Sequence, residues 1–581
     1  MESDNKNNED SYAGYIRMIQ RQYELVEDEL PPTHLCGGMT EVMVPVRDGT
    51  KLNTRIYVPA GTGPWPVILE RNPYPDMHPV AELAAWEWTK YGYAAVLQDC
   101  RGTGGSEGRW EPFENERNDG LDVIHWIIEQ SWMNGSMAMN GQSYGGFVQW
   151  ILADRLPPEV KTLFIGVFGT ERHRQMYMNG MFRHEIYTFW AVQNNGAAPL
   201  ADPGGVYRSM LQHVPHIEAD AASIGQELPW YREWLLSPGA DAAAWDVEPW
   251  SGLQAMPGLV SVPLYLFGGW FDHHLDGMMC AYEGLPDQVK SASRFVIGPW
   301  VHTLQTAGDL EMGNAESSPL REAILWFDHQ LKGKPYAYST GVVDTYVVGD
   351  DGWRAWTDWG RRDKTLKLHM DSGGSVVDGA LKLMDKPGGE GRITFRYDPR
   401  KPVRTLGGDA LLAWINPAFG GSRPASVLQL APGEREDIIT FVTEPFHDEL
   451  AIAGAIRACL SVRSDAVDTA FTVKVSEMKG DGGAYNIRDG ITTLAYRNGA
   501  GSPQDYVPGD TAGLEIELWP VAWTLSAGSR LRVDISSSNF PAYHLHSNHA
   551  GNWALQQEFR AANQTLLTGA EHNAWIEIPL G

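Results

Sequence analysis

The sequence predicts an α/β protein with a helical insertion and a β-rich C-terminal region. Three observations carry that prediction. Short apolar runs of strand length alternate with helical stretches through residues 38–169 and again through 258–337, the pattern of a parallel sheet covered on both faces. Across residues 170–257 the alternation lapses into a stretch rich in Met, Tyr, Phe, Trp and His, which reads as a mainly helical cap. From 338 to 581 the texture becomes period-two with Gly, Pro and Asp punctuation, the signature of an antiparallel β-sandwich.

The elements follow in order. Residues 1–14 read as a disordered leader. Ile16, Ile19, Tyr23, Val26 and Leu30 then recur at helical spacing until Pro31-Pro32 ends the pattern, so residues 1–37 form a leader and an amphipathic helix. Glu41 to Val46 and Lys51 to Val58 are strand-like and joined through Asp48-Gly49, a dipeptide suited to a tight hairpin turn. Further strands are predicted at Pro66 to Leu69, Tyr93 to Leu97, Met137 to Met139 and Leu163 to Val167, with helices at Asp119 to Gln130 and Gly146 to Leu156 between them. After the cap come strands Val262 to Phe267 and Arg294 to Ile297, then a helix from Ser318 ending near Gly333. In the last region Val343, Thr345 and Val347 alternate, as do Leu514, Ile516 and Leu518, and these are assigned to the sandwich.

Composition narrows the function classes. The chain has 581 residues, 43% hydrophobic, 20% charged and 11% aromatic with 23 Trp, as expected of a multidomain globular protein. A net charge of −27 repels phosphate backbones, so nucleic acid is not an expected ligand. Four scattered cysteines, Cys36, Cys100, Cys280 and Cys459, make neither a disulfide framework nor a zinc site. The polar, acidic N-terminus lacks the features of a secretory signal, and no apolar run reaches the length of a membrane span. A soluble, cytoplasmic protein with no membrane attachment is expected; whether it self-associates is left open.

Gly141-Gln142-Ser143-Tyr144-Gly145 fits G-x-S-x-G, in which glycines let a serine occupy a strained strand-to-helix turn with its hydroxyl exposed. A second match, Gly104-Gly105-Ser106-Glu107-Gly108, lacks a following helix and reads as a loop turn. A dinucleotide fingerprint starting at Gly102-Thr103-Gly104 fails at Glu107, and no phosphate-binding G-x-x-x-x-G-K-[ST] loop is present. A serine nucleophile needs a base and a carboxylate, in chain order Ser, Asp or Glu, His. Asp272 and His302 each follow a predicted strand at its carboxyl end, where open α/β sheets place their sites. They are the candidate partners of Ser143, with His273 and His274 as rivals for the base. The backbone N–H of Tyr144 is a candidate oxyanion donor. Arg71-Asn72-Pro73-Tyr74-Pro75 stands where a second donor is expected, and the Tyr74 phenol could serve or simply pack in its loop.

Taken in order, Val46-Arg47-Asp48-Gly49, Arg71-Asn72-Pro73-Tyr74, Asp99-Cys100-Arg101-Gly102, Asp119-Gly120, Gly141 to Gly146, Gly269-Trp270-Phe271-Asp272, Gly298-Pro299-Trp300-Val301-His302 and Ser537-Ser538-Asn539-Phe540-Pro541 carry a resemblance. From about Val42 onward the chain resembles the cocaine esterase-like branch of the X-Pro dipeptidyl-peptidase superfamily of serine hydrolases, which also contains α-amino acid ester hydrolases and glutaryl-cephalosporin acylases. The resemblance implies an α/β-hydrolase fold, a helical cap after the sixth strand and a C-terminal jelly roll. It implies Ser143 as nucleophile, Asp272 and His302 as its partners, and Tyr74 as the side-chain oxyanion donor. No metal or organic cofactor is implied.

The expected activity is hydrolysis of carboxylic esters, or related acyl amides, of small molecules through an acyl-enzyme. The alternatives are an X-Pro dipeptidyl-peptidase, an α-amino acid ester hydrolase or acylase, and a jelly-roll binding protein with an inert hydrolase domain. The α-amino ester hydrolases carry acidic residues directly after the triad aspartate, whereas here stand His273, His274 and Leu275, with Asp276 the nearest acidic candidate for a substrate ammonium. The aromatic residues Tyr177, Phe182, Tyr187, Phe189 and Trp190 of the cap, with Trp270 and Phe271, and with His274 beside Asp272, are candidate pocket walls.

Overall fold

In a computed structural model, residues 16–581 are described except 18, 197, 198, 317, 360–363 and 374–378; the expected leader lies outside the described residues. Ten strands form one mixed sheet. They are β1 (Cys36–Pro45), β2 (Lys51–Pro59), β3 (Trp65–Asn72), β4 (Ala94–Asp99), β5 (Met133–Gln142), β6 (Val160–Gly166), β9 (Leu264–Phe271), β10 (Arg294–Val301), β11 (Val342–Val347) and β12 (Gly352–Trp356). Their spatial order is β1-β2-β4-β3-β5-β6-β9-β10-β11-β12. From β4 to β11 all neighbours run parallel, while β1, β2 and β12 pair antiparallel at the edges.

The expectation that Val343, Thr345 and Val347 belong to the C-terminal sandwich is corrected here. They lie on β11, which pairs in parallel with β10 and extends the first sheet. Alternation identifies a strand with one polar face, but carries no information about which sheet the strand joins.

Both faces of the sheet are covered, as its largely buried central strands require. On one face lie α1 (residues 19–29), α2 (His78–Lys90) and α13 (Pro319–Lys332), closing over Ile68, Phe164, Tyr265 and Phe267. Helix α13 stops at Gly333, whose φ of 65° is the left-handed C-cap conformation that glycine adopts without strain. On the other face lie α3 (Glu116–Ile128) and α4 (Tyr144–Trp150). Between β6 and β9 the chain makes α5 (Arg172–Met176), a two-stranded hairpin of β7 (Tyr177–Met178) and β8 (Met181–Phe182), then α6 (His184–Gln193), α7 (Pro203–Gln212), α8 (Ala219–Ser223), α9 (Pro229–Leu236) and α10 (Trp250–Leu259). Helices α11 (Leu275–Glu283) and α12 (Asp287–Ala292) link β9 to β10.

The remaining strands, β13 (Thr365–Asp371) to β23 (Trp575–Pro579), form a separate, almost wholly antiparallel eleven-stranded system. It is fused to the cap through side chains. Glu185 accepts from the N–H groups of Leu412 and Ala413 at 2.7 and 2.8 Å, Arg183 pairs with Asp409 at 3.1 Å, and the Phe182 N–H donates to His544 Nδ1 at 3.0 Å. A single hydrophobic core accordingly runs from Val123 and Met139 under the first sheet, through the cap, to Ile516 and Val533.

At this junction His184, His216 and His544 gather around Trp553, with ring centroids 4.1 to 5.6 Å from the indole. Burial holds all three imidazoles neutral, pushing His184 down to about 4 and the other two well below their ordinary value. Histidines of the unfolded chain take up protons near pH 6.5, so below that pH the unfolded state binds more protons than the folded one. Stability is therefore fully present above about pH 6.5 and falls as pH drops toward 4, with each histidine adding up to roughly 1.4 kcal/mol per pH unit. Calorimetry at fixed ionic strength should show Tm falling steadily over that window; a flat profile would contradict the buried cluster.

Candidate active site

Strand β5 delivers the chain to Ser143, whose φ of 56° and ψ of −123° lie in a region that side-chain-bearing residues rarely occupy. The surroundings hold it there. The Ser143 N–H donates to the Gly166 carbonyl at 2.9 Å, and its own carbonyl accepts the first bonds of α4 from Gly146 and Phe147. The turn is tight enough that a Cβ on Gly141 would stand 2.9 Å from the Gly145 carbonyl oxygen, and one on Gly146 would stand 2.8 Å from Phe168 Cβ. The glycines are thus required by close approach of backbone and core, and the serine hydroxyl is turned out at the carboxyl edge of the sheet.

Beyond β6, the parallel strands β9 and β10 bring two more polar side chains to Ser143. Asp272 directly follows β9 and His302 directly follows β10. The approach of these two strand ends depends on Gly269, where a Cβ would come within 2.2 Å of the Trp300 carbonyl oxygen. His302 Nε2 lies 3.0 Å from Ser143 Oγ, and His302 Nδ1 lies 3.0 Å from Asp272 Oδ1. The same carboxylate oxygen is 3.1 Å from His273 Nδ1 and accepts the His274 N–H at 3.2 Å. Asp272 is completely buried. Burial pushes its pKa up, but His302 and then His273 outweigh that and hold the carboxyl well below the usual carboxylate range. Burial drives His273 down to about 4 and His274 well below its ordinary value, which leaves both neutral near pH 7.

Above Ser143, β3 ends in a loop fixed by Asn72, whose side-chain oxygen accepts the Tyr74 N–H at 3.0 Å. The indole N–H of Trp190 on α6 donates to the Tyr74 phenol oxygen at 3.2 Å. Burial raises the Tyr74 pKa to about 12, against the pull of hydrogen bonds from Trp190 and Ser143, so the phenol keeps its proton. Tyr144 contributes the first N–H of α4, which has no acceptor within its own helix. Its ring is clamped from below, the hydroxyl donating to Glu116 Oε1 at 2.5 Å and accepting the Phe113 N–H at 2.8 Å.

Of the residues singled out in the sequence, the structure brings Ser143, Asp272, His302, Tyr74, Tyr144, Trp190 and His274 together. Three expected pocket residues lie elsewhere. Phe189, one helical step from Trp190, faces Tyr207 and Phe419 instead. Trp270 is fully buried with its N–H on the Tyr346 carbonyl at 2.7 Å and its ring against Trp359. Phe271 is buried beneath the Arg488 guanidinium. All three are packing residues, since an aromatic next to a site residue in sequence points to a different face of its helix or strand. Ser106 is committed to its loop, donating to the Asp99 carbonyl at 2.8 Å and accepting the Asn53 N–H at 2.9 Å. Asp276 is paired with Arg174 at 2.8 Å.

Glu116 and Arg172 escaped the sequence reading, and His273, weighed there as a rival base, lies against Asp272 instead. Glu116 opens a helix and Arg172 sits in the charged run Glu171-Arg172-His173-Arg174, both of which read as solvent-facing. Side-chain nitrogens of His273, His274 and His302 come within 4.8 Å of one another, the one grouping among the described residues with a spacing that could hold a metal ion. Two of the three already engage Asp272. Among the described residues no helix is long and apolar enough to cross a membrane.

Comparison with known proteins agrees with this architecture. Residues 48–304 match the X-Pro dipeptidyl-peptidase (S15 family) model, and residues 338–577 match the X-Pro dipeptidyl-peptidase C-terminal non-catalytic domain. The chain is 30% identical over 577 residues to a cocaine esterase from Rhodococcus sp. (strain MB1 Bresler), covering 93% of this chain and 98% of that protein. A putative serine esterase of Mycobacterium bovis is 21% identical, with 85% and 90% covered. Among solved structures, an α-amino acid ester hydrolase superposes with a TM-score of 0.78 at 23% identity, covering 94% and 96%. An aminopeptidase from a marine sediment archaeon, Thaumarchaeota archaeon, superposes with a TM-score of 0.77 at 24% identity, covering 94% and 96%. A sheet ending in a serine elbow, a cap, a fused β-domain and a full-length relative at this identity lead to one conclusion: the chain belongs to the X-Pro dipeptidyl-peptidase (S15) family of serine hydrolases, in its cocaine esterase-like branch.

Proposed function

We propose that the protein hydrolyses carboxylic esters of small molecules through an acyl-enzyme on Ser143, with His302 as base and Asp272 as its orienting carboxylate. The observation that carries this reading is the unbroken contact chain Ser143 Oγ, His302 Nε2, His302 Nδ1, Asp272 Oδ1, with both links at 3.0 Å. His302 takes the serine proton as Oγ attacks the carbonyl carbon, and Asp272 holds the ring and stabilises the imidazolium. His302 then protonates the departing alcohol, and water repeats the sequence on the acyl-enzyme. The oxyanion is received by the Tyr144 N–H and the Tyr74 O–H. Trp190 occupies a lone pair of the Tyr74 oxygen, so the phenol proton is free to point toward Ser143.

A fluorophosphonate probe tests the nucleophile. Peptide mapping should find the label on Ser143, with ester turnover lost in proportion; labelling elsewhere, or none, would refute the assignment. Tyr74→Phe removes one oxyanion donor and should lower kcat by about 10²- to 10³-fold with KM little changed. A loss confined to KM would make Tyr74 a binding residue instead. Recognition of a substrate α-amino group is disfavoured, because Asp276 is neutralised by Arg174.

A further inference from the structure

The proposed triad uses one histidine, yet three stand together at the carboxyl edge of the sheet. His273 and His274 follow Asp272 directly, and His302 reaches them from the end of β10. Ring centroids are 4.0 Å apart for His273 and His274, 5.1 Å for His273 and His302, and 5.4 Å for His274 and His302. One nitrogen from each lies within 4.8 Å of the other two. His273 and His274 are 3% and 4% exposed, and His274 Nδ1 is buried without a hydrogen-bond partner. A buried orphan nitrogen costs free energy that acyl transfer does not return.

Tautomer and charge both suit this group to a metal ion. His302 Nδ1 and His273 Nδ1 lie 3.0 and 3.1 Å from the same oxygen of Asp272. A proton held on Nδ1 by a carboxylate leaves the lone pair on Nε2, the arrangement by which outer carboxylates prepare histidine ligands. Burial keeps His273 and His274 neutral near pH 7, and neutral imidazole is the ligating form. Packing limits how far the rings turn. Tyr187 stands edge-on to His273 at 5.8 Å between centroids, and Phe168 covers His274 at 4.8 Å. A tetrahedral ion with Zn–N bonds of about 2.0–2.1 Å sets its nitrogens about 3.4 Å apart, so each ring shifts by less than about 1 Å on closure. His302, with 13% of its side chain exposed, is the open side.

We propose that His273, His274 and His302 form a site for a borderline transition-metal dication, zinc foremost, whose binding switches the hydrolase off. Three imidazoles favour zinc, copper or nickel and give no hold to magnesium or calcium, which require oxygen ligands. The ion takes the His302 Nε2 lone pair, the same pair that faces Ser143 Oγ at 3.0 Å and accepts its proton. A coordinate bond forms at each imidazole as the ion sheds bound water, and no covalent bond of the protein changes. The inhibition rests on the Ser143 reading, whereas the binding of the ion does not.

The test titrates Zn²⁺ into the metal-free wild-type protein and follows p-nitrophenyl acetate turnover. Turnover should fall with one ion bound per chain and return on addition of EDTA, while Mg²⁺ and Ca²⁺ leave it unchanged. His274→Phe keeps a flat ring and removes both nitrogens. Half-inhibition, measured against that variant's own metal-free rate, should move to at least about tenfold higher Zn²⁺. Equal sensitivity of the two proteins, or no inhibition of wild type, overturns the proposal. Co²⁺ reports the site without reference to activity. Its visible absorption should take the intense tetrahedral form in wild type and in Ser143→Ala, and keep the weak aqueous form in His274→Phe; the aqueous form in wild type overturns the proposal. Should His274→Phe not fold, fluorophosphonate labelling of wild type decides, since saturating Zn²⁺ should block the label on Ser143 and labelling at an unchanged rate overturns the proposal. A metal-free wild type that turns over no ester and takes no label overturns the Ser143 reading and the inhibitory role, while a tetrahedral Co²⁺ spectrum in that same protein upholds the metal site.

Discussion

Ser143→Ala is expected to lower kcat by about a million-fold, since loss of the nucleophile alone removes nearly everything the three groups achieve together. What survives is the roughly 10³- to 10⁴-fold advantage over water from the oxyanion donors and substrate binding. Folding should be almost untouched. Alanine keeps the same backbone demand at φ 56°, and the loss of one hydroxyl-to-imidazole bond contributes about 0.5–1.5 kcal/mol. The measurement is ester turnover alongside Tm. Activity within a hundredfold of wild type would remove Ser143 from the chemistry, and Ser106 could not replace it because both sides of its hydroxyl are engaged.

Asp272→Asn should cost about 10⁴-fold in kcat with little effect on KM. His302 and the His274 backbone N–H converge on one oxygen, with His273 Nδ1 3.1 Å from it, while Oδ2 is buried and without a partner. The amide keeps the shape but removes the charge that stabilises the imidazolium. If its NH₂ faces the histidines it also forces His302 into the tautomer that cannot accept from Ser143. A fall of less than tenfold would mean that His273 or the backbone donor, rather than the carboxylate charge, governs His302. Stability carries a second signature. The folded pKa of Asp272 is depressed, so its contribution is present above the unfolded value near 3.9 and is lost as pH falls below it; Asp272→Asn should flatten that acid limb.

The proposed triad was legible in the sequence because the rules that suggest it are local. A serine between glycines at a strand-to-helix turn, and polar residues one step past parallel strands, fix both position and order. The sheet and cap were readable for the same reason, from apolar runs and their interruption. Long-range partnership was not. Nothing within a few residues of Glu116 reports that it clamps the ring of Tyr144, and nothing near Arg172 reports that four aromatic residues from distant segments enclose it. Trp270 and Phe271 show the converse, residues adjacent to Asp272 in sequence whose rings serve other parts of the core.

The fusion of cap and β-domain also sets the order in which the site's supports are completed during synthesis. Phe182, in the cap, leans on His544, a residue 362 positions later. Glu185, at the head of the helix that bears Trp190, is capped by Leu412 and Ala413, and the carbonyl of Trp270, two residues before Asp272, is held by Arg488. A nascent chain thus has every reacting group outside the ribosome long before the supports of those groups are made. The framework around Ser143 is therefore complete only once the C-terminal strands have docked on the cap.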